Sequence, residues 1–187
     1  VDAYVLTKTY NDEFIKWKNK GAQGLAPQTP TSEELYRAFK NLNTYKMATD
    51  EVVFHPVAFK PLFGASADQN LQAQFKVVKN PNVVISDNEV KTAVVAAINQ
   101  YFDIANWDFG ETFYFSELAS YLHVQLMPNI SSIVIVPANQ AEAFGSLLQV
   151  NANINEIITS AATVDNVQII SAITAAQLNQ TGTVVIA

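Results

Sequence analysis

The sequence contains no cysteine, which excludes disulfides, thiolate nucleophiles and zinc sites built on cysteine. Glycine-rich phosphate-binding patterns are missing too, since neither G-x-G-x-x-G nor G-x-x-x-x-G-K-[ST] occurs among the 6 glycines. The longest apolar runs, at residues 132–136 and 183–187, are far shorter than the ~20 residues that span a bilayer. We therefore expect no cofactor and no membrane span.

Basic side chains are missing from the second half of the chain. All 11 Lys and Arg residues lie between Lys8 and Lys91, whereas residues 92–187 carry only acidic charged side chains. Nucleic acids are bound mainly through Lys and Arg that neutralise phosphates, so this half is poorly suited to DNA, RNA or anionic lipid. We expect neither nucleic acid nor membrane as a partner.

What is present is typical of a packed globular protein. The 187 residues are 49% hydrophobic and 15% charged, a composition that predicts a buried core. The chain begins Val1-Asp2-Ala3, without an initiator methionine or a signal-peptide pattern, which favours a piece of a longer polypeptide. Asn and Gln are frequent, and such neutral hydrogen-bonding groups suit a surface that meets other protein without carrying charge into the contact, with ordinary surface polarity as the alternative interpretation.

Two capping patterns predict helix starts. Residues 31–34 open a helix whose apolar face carries Leu35, Ala38, Phe39 and Leu42. Residues 86–89 have the Ser-x-x-Glu spacing of a capping box, and a strongly periodic apolar face follows through Phe102. Further helices are predicted over residues 12–20 and 116–126.

Short β-branched and aromatic segments predict the strands, at residues 3–6, 52–59, 71–78, 112–115 and 132–136. The run at 132–136 favours a strand buried on both faces, central in a sheet, and the alternation in 71–78 favours one wet face that includes Lys76. After Pro137 short apolar runs continue at 146–150, 155–159, 167–171 and 183–186, with a brief helix near 174–178.

These elements predict an α+β fold with helices packed on a mixed or antiparallel sheet. Residues 1–137 would form the main domain and residues 138–187 a smaller β-rich C-terminal subdomain. The order of the elements is compatible with a ferredoxin-like β-α-β-β-α-β arrangement.

Few residues could support catalysis. Only two histidines occur, His55 and His123, and neither has metal-ligand spacing, so we expect hydrogen-bonded packing roles for both and no metal site. Asp108 and Glu111 flank an aromatic loop and are the best acid/base pair available, which leaves a hydrolase of cell-wall polysaccharide as one alternative. We expect no enzymatic activity.

Trp107 and Phe109 lie in the same loop, within the densest aromatic cluster of the chain, at residues 101–115. Most of this cluster is expected in the core. Aromatic side chains exposed in a loop are natural anchors for a protein interface, so Trp107 and Phe109 are the candidate interface residues, with a place in the core as the alternative for both. A carbohydrate- or small-ligand-binding module that uses the same two rings is a further alternative.

The order of features in residues 80–137 resembles the baseplate J-like family, the wedge proteins of contractile phage tails. The matching features are a capped helix that ends in an aromatic pair at residues 89–102, the loop Asp108-Phe109-Gly110-Glu111, a strand and a Ser-x-Leu helix at 113–122, and a β-rich segment at 130–136. The segment at residues 153–158 is similar to the family's N-E-I strand.

The resemblance implies a structural, non-catalytic protein. It implies a homodimer that binds other baseplate wedge proteins and joins neighbouring wedges into a ring. It also implies assembly in the host cytoplasm, followed by incorporation into the tail baseplate of the virion. The family offers interfaces and no active site, so no site residues carry over.

Overall fold

A computed structural model of the protein describes residues 1–41, 52–138, 149–174 and Leu178. The described residues form both helices and several sheets of short strands, which confirms the predicted α+β class. The predicted helix position Leu42 and the strand at residues 183–186 lie outside the described residues. The helices are α1 (Lys8–Asn19), α2 (Ser32–Ala38), α3 (Asp87–Tyr101) and α4 (Phe115–Leu126).

Capping side chains explain where the helices begin. At α3 the Glu89 N–H donates to Ser86 Oγ (3.2 Å) and the Ser86 N–H donates to Glu89 Oε2 (2.9 Å), which is the predicted capping box. Helix α2 has the same arrangement between Thr31 and Glu34. Helix α1 begins earlier than the predicted residue 12, because Thr7 Oγ1 accepts the N–H of Tyr10 and caps the chain there.

Nine described strands form four small sheets. β4 lies between β6, which runs antiparallel to it, and β9, which runs parallel. β1 pairs with β2 and β3 with β8, both in parallel, while β5 and β7 pair in antiparallel. The strands are β1 (Asp2–Val5), β2 (Val53–Pro56), β3 (Ala58–Leu62), β4 (Ala73–Lys79), β5 (Thr112–Tyr114), β6 (Ile130–Pro137), β7 (Gln149–Asn151), β8 (Glu156–Ser160) and β9 (Val167–Ile170).

This pairing corrects three predictions about the sheets. The single sheet that a ferredoxin-like order requires is not what the described strands form, since three of the pairings are parallel and join segments far apart in sequence. β6, which was predicted to be central, lies at an edge of its three-stranded sheet, and β4 is the central strand instead. The segment predicted as one strand at residues 52–59 is two strands, because the chain leaves β2 after Pro56 and pairs with a different partner from Ala58 onward.

The strands after Pro137 also do not form a subdomain of their own. Within the described part of residues 138–187, β7, β8 and β9 each pair with a strand of residues 1–137. Val150, Ile157 and Val167 are buried in the same apolar core as α3 and α4. The predicted division at residue 137 is therefore wrong for the described residues, because the late strands complete the early sheets.

Aromatic rings fill the centre of the core. Phe63, fully buried, meets Phe75, Phe102, Phe113 and Phe115 at ring-centroid distances of 5.1–6.2 Å in edge-to-face geometry. The buried face of α3 is the predicted one and consists of Val90, Val94, Ala97 and Ile98.

Lys76 was predicted on the solvent-exposed face of β4, but it is buried. Its side chain is only 1% exposed, and its ammonium group donates a hydrogen bond to Gln168 Oε1 on the neighbouring β9. Burial lowers the pKa of Lys76. The prediction failed because Lys76 lies opposite Val134 of β6 and Gln168 of β9, so residues of both neighbouring strands flank it on that face.

Candidate protein-interaction surface

Trp107 belongs to the core. Its side chain is 9% exposed, the indole ring stacks on Phe102 (5.3 Å between centroids), and its Nε1–H donates to the carbonyl oxygen of Tyr101 (2.9 Å). A ring enclosed in this way cannot be presented to a partner protein or a sugar. The prediction that Trp107 is an interface or ligand-binding residue is therefore wrong, whereas Phe109 is 39% exposed and remains a candidate.

Hydrogen bonds donated by its backbone N–H groups fix the loop that carries Phe109. The Gly110 N–H donates to the carbonyl oxygen of Glu156 (3.0 Å), and the Asp108 N–H donates to Glu111 Oε2 (2.9 Å). Gly110 has a φ of +75°, and a Cβ there would lie 3.2 Å from Ile154 Cα. Glycine is needed at this position for both reasons, and the loop is docked closely against the turn before β8.

That turn is equally well anchored. The Asn153 N–H donates to Glu156 Oε2 (2.8 Å), and Lys60 Nζ lies 3.2 Å from the same oxygen while also donating to the carbonyl oxygen of Asn151 (3.1 Å). Burial acts to raise the pKa of Glu156, but the hydrogen bonds from Asn153 and Lys60 and the Lys60 charge together lower it below its ordinary value.

We call residues 108–111 and 153–156 the paired-loop surface. It presents two apolar side chains, Phe109 and Ile154, the latter 63% exposed, on a backbone fixed by the contacts above. A rigid loop that exposes an aromatic ring loses little conformational entropy when it binds, which is what an interface anchor requires.

Asp108 and Glu111 do not converge on a pocket. Both residues are exposed, and Glu111 is engaged by the N–H of Asp108 in closing the turn. Tyr101 lies near this turn: burial, with the nearby charges of Glu117 and then Glu111, raises the pKa of Tyr101 to about 12. The geometry thus gives Glu111 a part in shaping the loop, and it places no enclosed cleft between the two carboxylates.

The two histidines differ. His55 Nε2 lies 2.8 Å from Asp2 Oδ1 and its ring stacks on Tyr4 (5.0 Å), so the packing role predicted for it is confirmed. His123 is exposed on α4, so a packing role for this residue is wrong.

Sequence reasoning missed a cleft of about 280 Å³, lined by both apolar and polar side chains, between α1, the end of α3 and the β3–β8 pair. Phe14, Phe59 and Phe102 line it, and the exposed side chains of Ile15 and Ile104 stand at its rim. The available signal was on α1, where Tyr10, Phe14 and Trp17 recur at helical spacing. They form an aromatic face on a helix whose other side chains are mostly charged or polar.

Lys18 is the basic residue of this cleft. Its Nζ donates to Asn99 Oδ1 (3.3 Å), and burial lowers the pKa of the ammonium group. Among the described residues no carboxylate lies within ion-pair distance of Lys18. The cleft therefore combines an aromatic floor with a half-buried cation that forms no ion pair within the described part of the chain.

Comparison with known protein families gives no matching family model, and comparison with curated proteins gives no match either. None of the helices in the described ranges has the length and apolar character needed to cross a membrane. Across those same ranges, His, Asp and Glu residues form no group of three that could hold a metal ion.

Proposed function

We propose that the chain is a structural subunit of a phage tail baseplate, a wedge protein that self-associates and joins neighbouring wedges into a ring. In its most specific form, this places the chain as a C-terminal portion of the baseplate wedge protein of T-even contractile-tailed phages. Its partners are a second copy and other wedge proteins, with assembly in the host cytoplasm before incorporation into the virion. No catalytic activity is part of this assignment.

The observation that carries this proposal is the ordered series of features in residues 80–137, which resembles the baseplate J-like family. A capped α3 ends next to Tyr101 and Phe102, the Gly110 loop follows, and β5, α4 and β6 come in turn. Each feature alone is common, and their order along the chain is what supports the family.

Two features of the protein surface also support an assembly role. The paired-loop surface offers the aromatic ring of Phe109 on a fixed backbone, and the cleft beside α1 offers a hollow with three phenylalanine side chains in its lining. Protein interfaces are enriched in such buried aromatic anchors and in pockets that receive them.

Sedimentation velocity of the purified chain tests the proposal, alone over a wide concentration range and mixed with other wedge proteins of the same phage. We expect a concentration-dependent dimer and a faster complex with at least one wedge protein. A chain that remains monomeric and binds none of them contradicts the assignment.

The hydrolase alternative has its own test. We expect no release of soluble fragments from purified cell wall by the wild-type chain. If release does occur and is lost in Asp108→Asn or Glu111→Gln while the fold persists, the structural assignment is incomplete.

A further inference from the structure

The cleft beside α1 has the size of a side chain. Its volume of about 280 Å³ lies at the lower end of the ~300–1,000 Å³ of sites that enclose small ligands, which leaves room for one large side chain. Its aromatic floor of Phe14, Phe59 and Phe102 suits a ring, which would stack or meet these edges. An aromatic side chain offered by another protein is thus the occupant that fits best.

The cleft also sets a condition on the charge of that occupant. Lys18 is half-buried at the cleft, and its described polar partner there is the neutral amide of Asn99. Asp103 also lines the cleft, but it forms no ion pair with Lys18, and its Oδ1 accepts the N–H of Ala105 (2.9 Å). A carboxylate next to the incoming ring would offset the desolvation of the Lys18 ammonium.

The chain carries this combination on its own surface. Phe109 is exposed, it follows directly on Asp108, and the Asp108 side chain is exposed beside it. The N–H of Asp108 is tied to Glu111 and Gly110 is tied to Glu156, so the backbone on both sides of Phe109 is fixed. The loop offers a preorganised ring with an adjacent carboxylate.

The loop and the cleft are neighbours on the molecule. Asp103 and Ile104 line the cleft, and the paired-loop surface begins only a few residues later, after one 3-10 turn. On β8, Glu156 holds the loop while Ile157 lines the cleft. Residues 107–111 are not among those that line the cleft, so Phe109 does not fill the cleft of its own chain.

We propose that two copies of this chain associate through a two-fold contact in which Phe109 of each copy enters the cleft of the other and Asp108 pairs with Lys18. A two-fold contact uses the same patch on both subunits, so adjacent donor and acceptor features are engaged twice. This inference rests on the proposed self-association and specifies the surface that makes it.

Charge reversal in two separate chains gives the sharpest test. Lys18→Glu alone, or Asp108→Lys alone, brings like charges together in both contacts of the dimer, so we expect each to weaken self-association at least about tenfold. In an equimolar mixture of the two variants, the substituted positions meet in one contact and the native residues in the other. We expect the mixture to regain wild-type dimerisation, measured by sedimentation equilibrium.

Truncation of the ring gives an independent measurement. Phe109→Ala should raise the dimer dissociation constant at least about 30-fold, as for a buried aromatic anchor. Val84→Ala is the matched control, because Val84 is fully exposed and lies outside both the cleft and the paired-loop surface. It should leave the constant unchanged.

The outcomes separate this inference from the proposed function. A wild-type dimer that tolerates Phe109→Ala and Asp108→Lys overturns the contact described here while self-association stands. Failure of the mixed variants to regain the dimer, with each variant folded, also overturns it. A wild-type chain that stays monomeric overturns the contact, and the proposed function fails as well only if no other wedge protein is bound. If Lys18→Glu unfolds the chain, the exposed changes at Asp108 and Phe109 decide the matter.

Discussion

Trp107 and Phe109 are aromatic residues two positions apart, yet they belong to different regions of the molecule. Trp107 is enclosed with Phe102 and Phe113 in the aromatic core, whereas Phe109 stands on the paired-loop surface. In the core, the packing of side chains fixes the position of Trp107. On the surface, the backbone hydrogen bond of Gly110 fixes the loop that carries the partly exposed ring of Phe109. Changes in the first region should therefore cost stability, and changes in the second should cost association.

Phe113→Ala should give the largest loss of stability. Phe113 is fully buried and its ring meets Phe63, Phe102, Trp107 and Phe115, so truncation leaves a cavity among aromatic rings. We expect the free energy of unfolding to fall by about 3–5 kcal/mol, measured by urea denaturation. A loss below about 1 kcal/mol would mean that the core is not organised around these rings.

Gly110→Ala should have the next largest effect, at about 2 kcal/mol. The positive φ of Gly110 is costly for alanine, and the added Cβ presses on Ile154 Cα. Gly24→Ala is the matched control, since Gly24 has a φ of +80° with nothing within 4 Å of the added Cβ. Gly110→Ala should lower the melting temperature more than Gly24→Ala, and equal effects would refute the close docking of the two loops.

Glu156→Gln should cost about 1 kcal/mol at neutral pH, because it removes the charge that Lys60 and the Asn153 N–H stabilise. The pKa of Glu156 is lower in the folded state, so its stabilising contribution is fully present above the ordinary glutamate pKa of about 4.3. It is lost as pH falls through the lower folded-state pKa.

Unfolding free energies of the wild type and Glu156→Gln should therefore converge in acid and differ at pH 7. Glu33→Gln is the control, because the Glu33–Arg37 pair is exposed and contributes little. A difference that grows as pH falls would have the wrong sign for this pair.

Phe109→Ala should have the smallest effect on stability, below about 0.5 kcal/mol when measured on the monomer at high dilution. The ring is partly exposed, and the hydrogen bonds that hold the loop come from its neighbours. A loss comparable with that of Phe113→Ala would place Phe109 in the core and remove the contrast between the two regions.

Helix α3 could be predicted from the sequence because its determinants are local. Its capping box lies within four residues, and its buried face repeats at helical spacing. The strand partners could not be predicted in the same way. Alternation in β4 shows which side chains share a face, but the burial of Lys76 depends on β6 and β9, which come from elsewhere in the chain.

The candidate site also has one part that follows from local sequence and one part that depends on distant segments. Phe109 could be singled out as a loop aromatic, and its interface role stays a prediction. Trp107 carries the same sequence signal, and only the position of Phe102 and Tyr101 shows that it is enclosed. The aromatic face of α1 was a sequence signal for one wall of the cleft, but the cleft itself could not be foreseen, because α1, the end of α3 and β8 create it jointly.

The parallel pairs have a consequence for synthesis of the chain. β3 pairs with β8, and β4 with β9, so strands made early have edges that are matched only by strands made late. Contacts of such large sequence separation form slowly, and until then an emerging chain leaves Phe59 and Phe75 without their neighbours Ile157 and Val167. A nascent chain still on the ribosome cannot complete these sheets until β9 has emerged, so truncation before Val167 should yield aggregation-prone material in the cell.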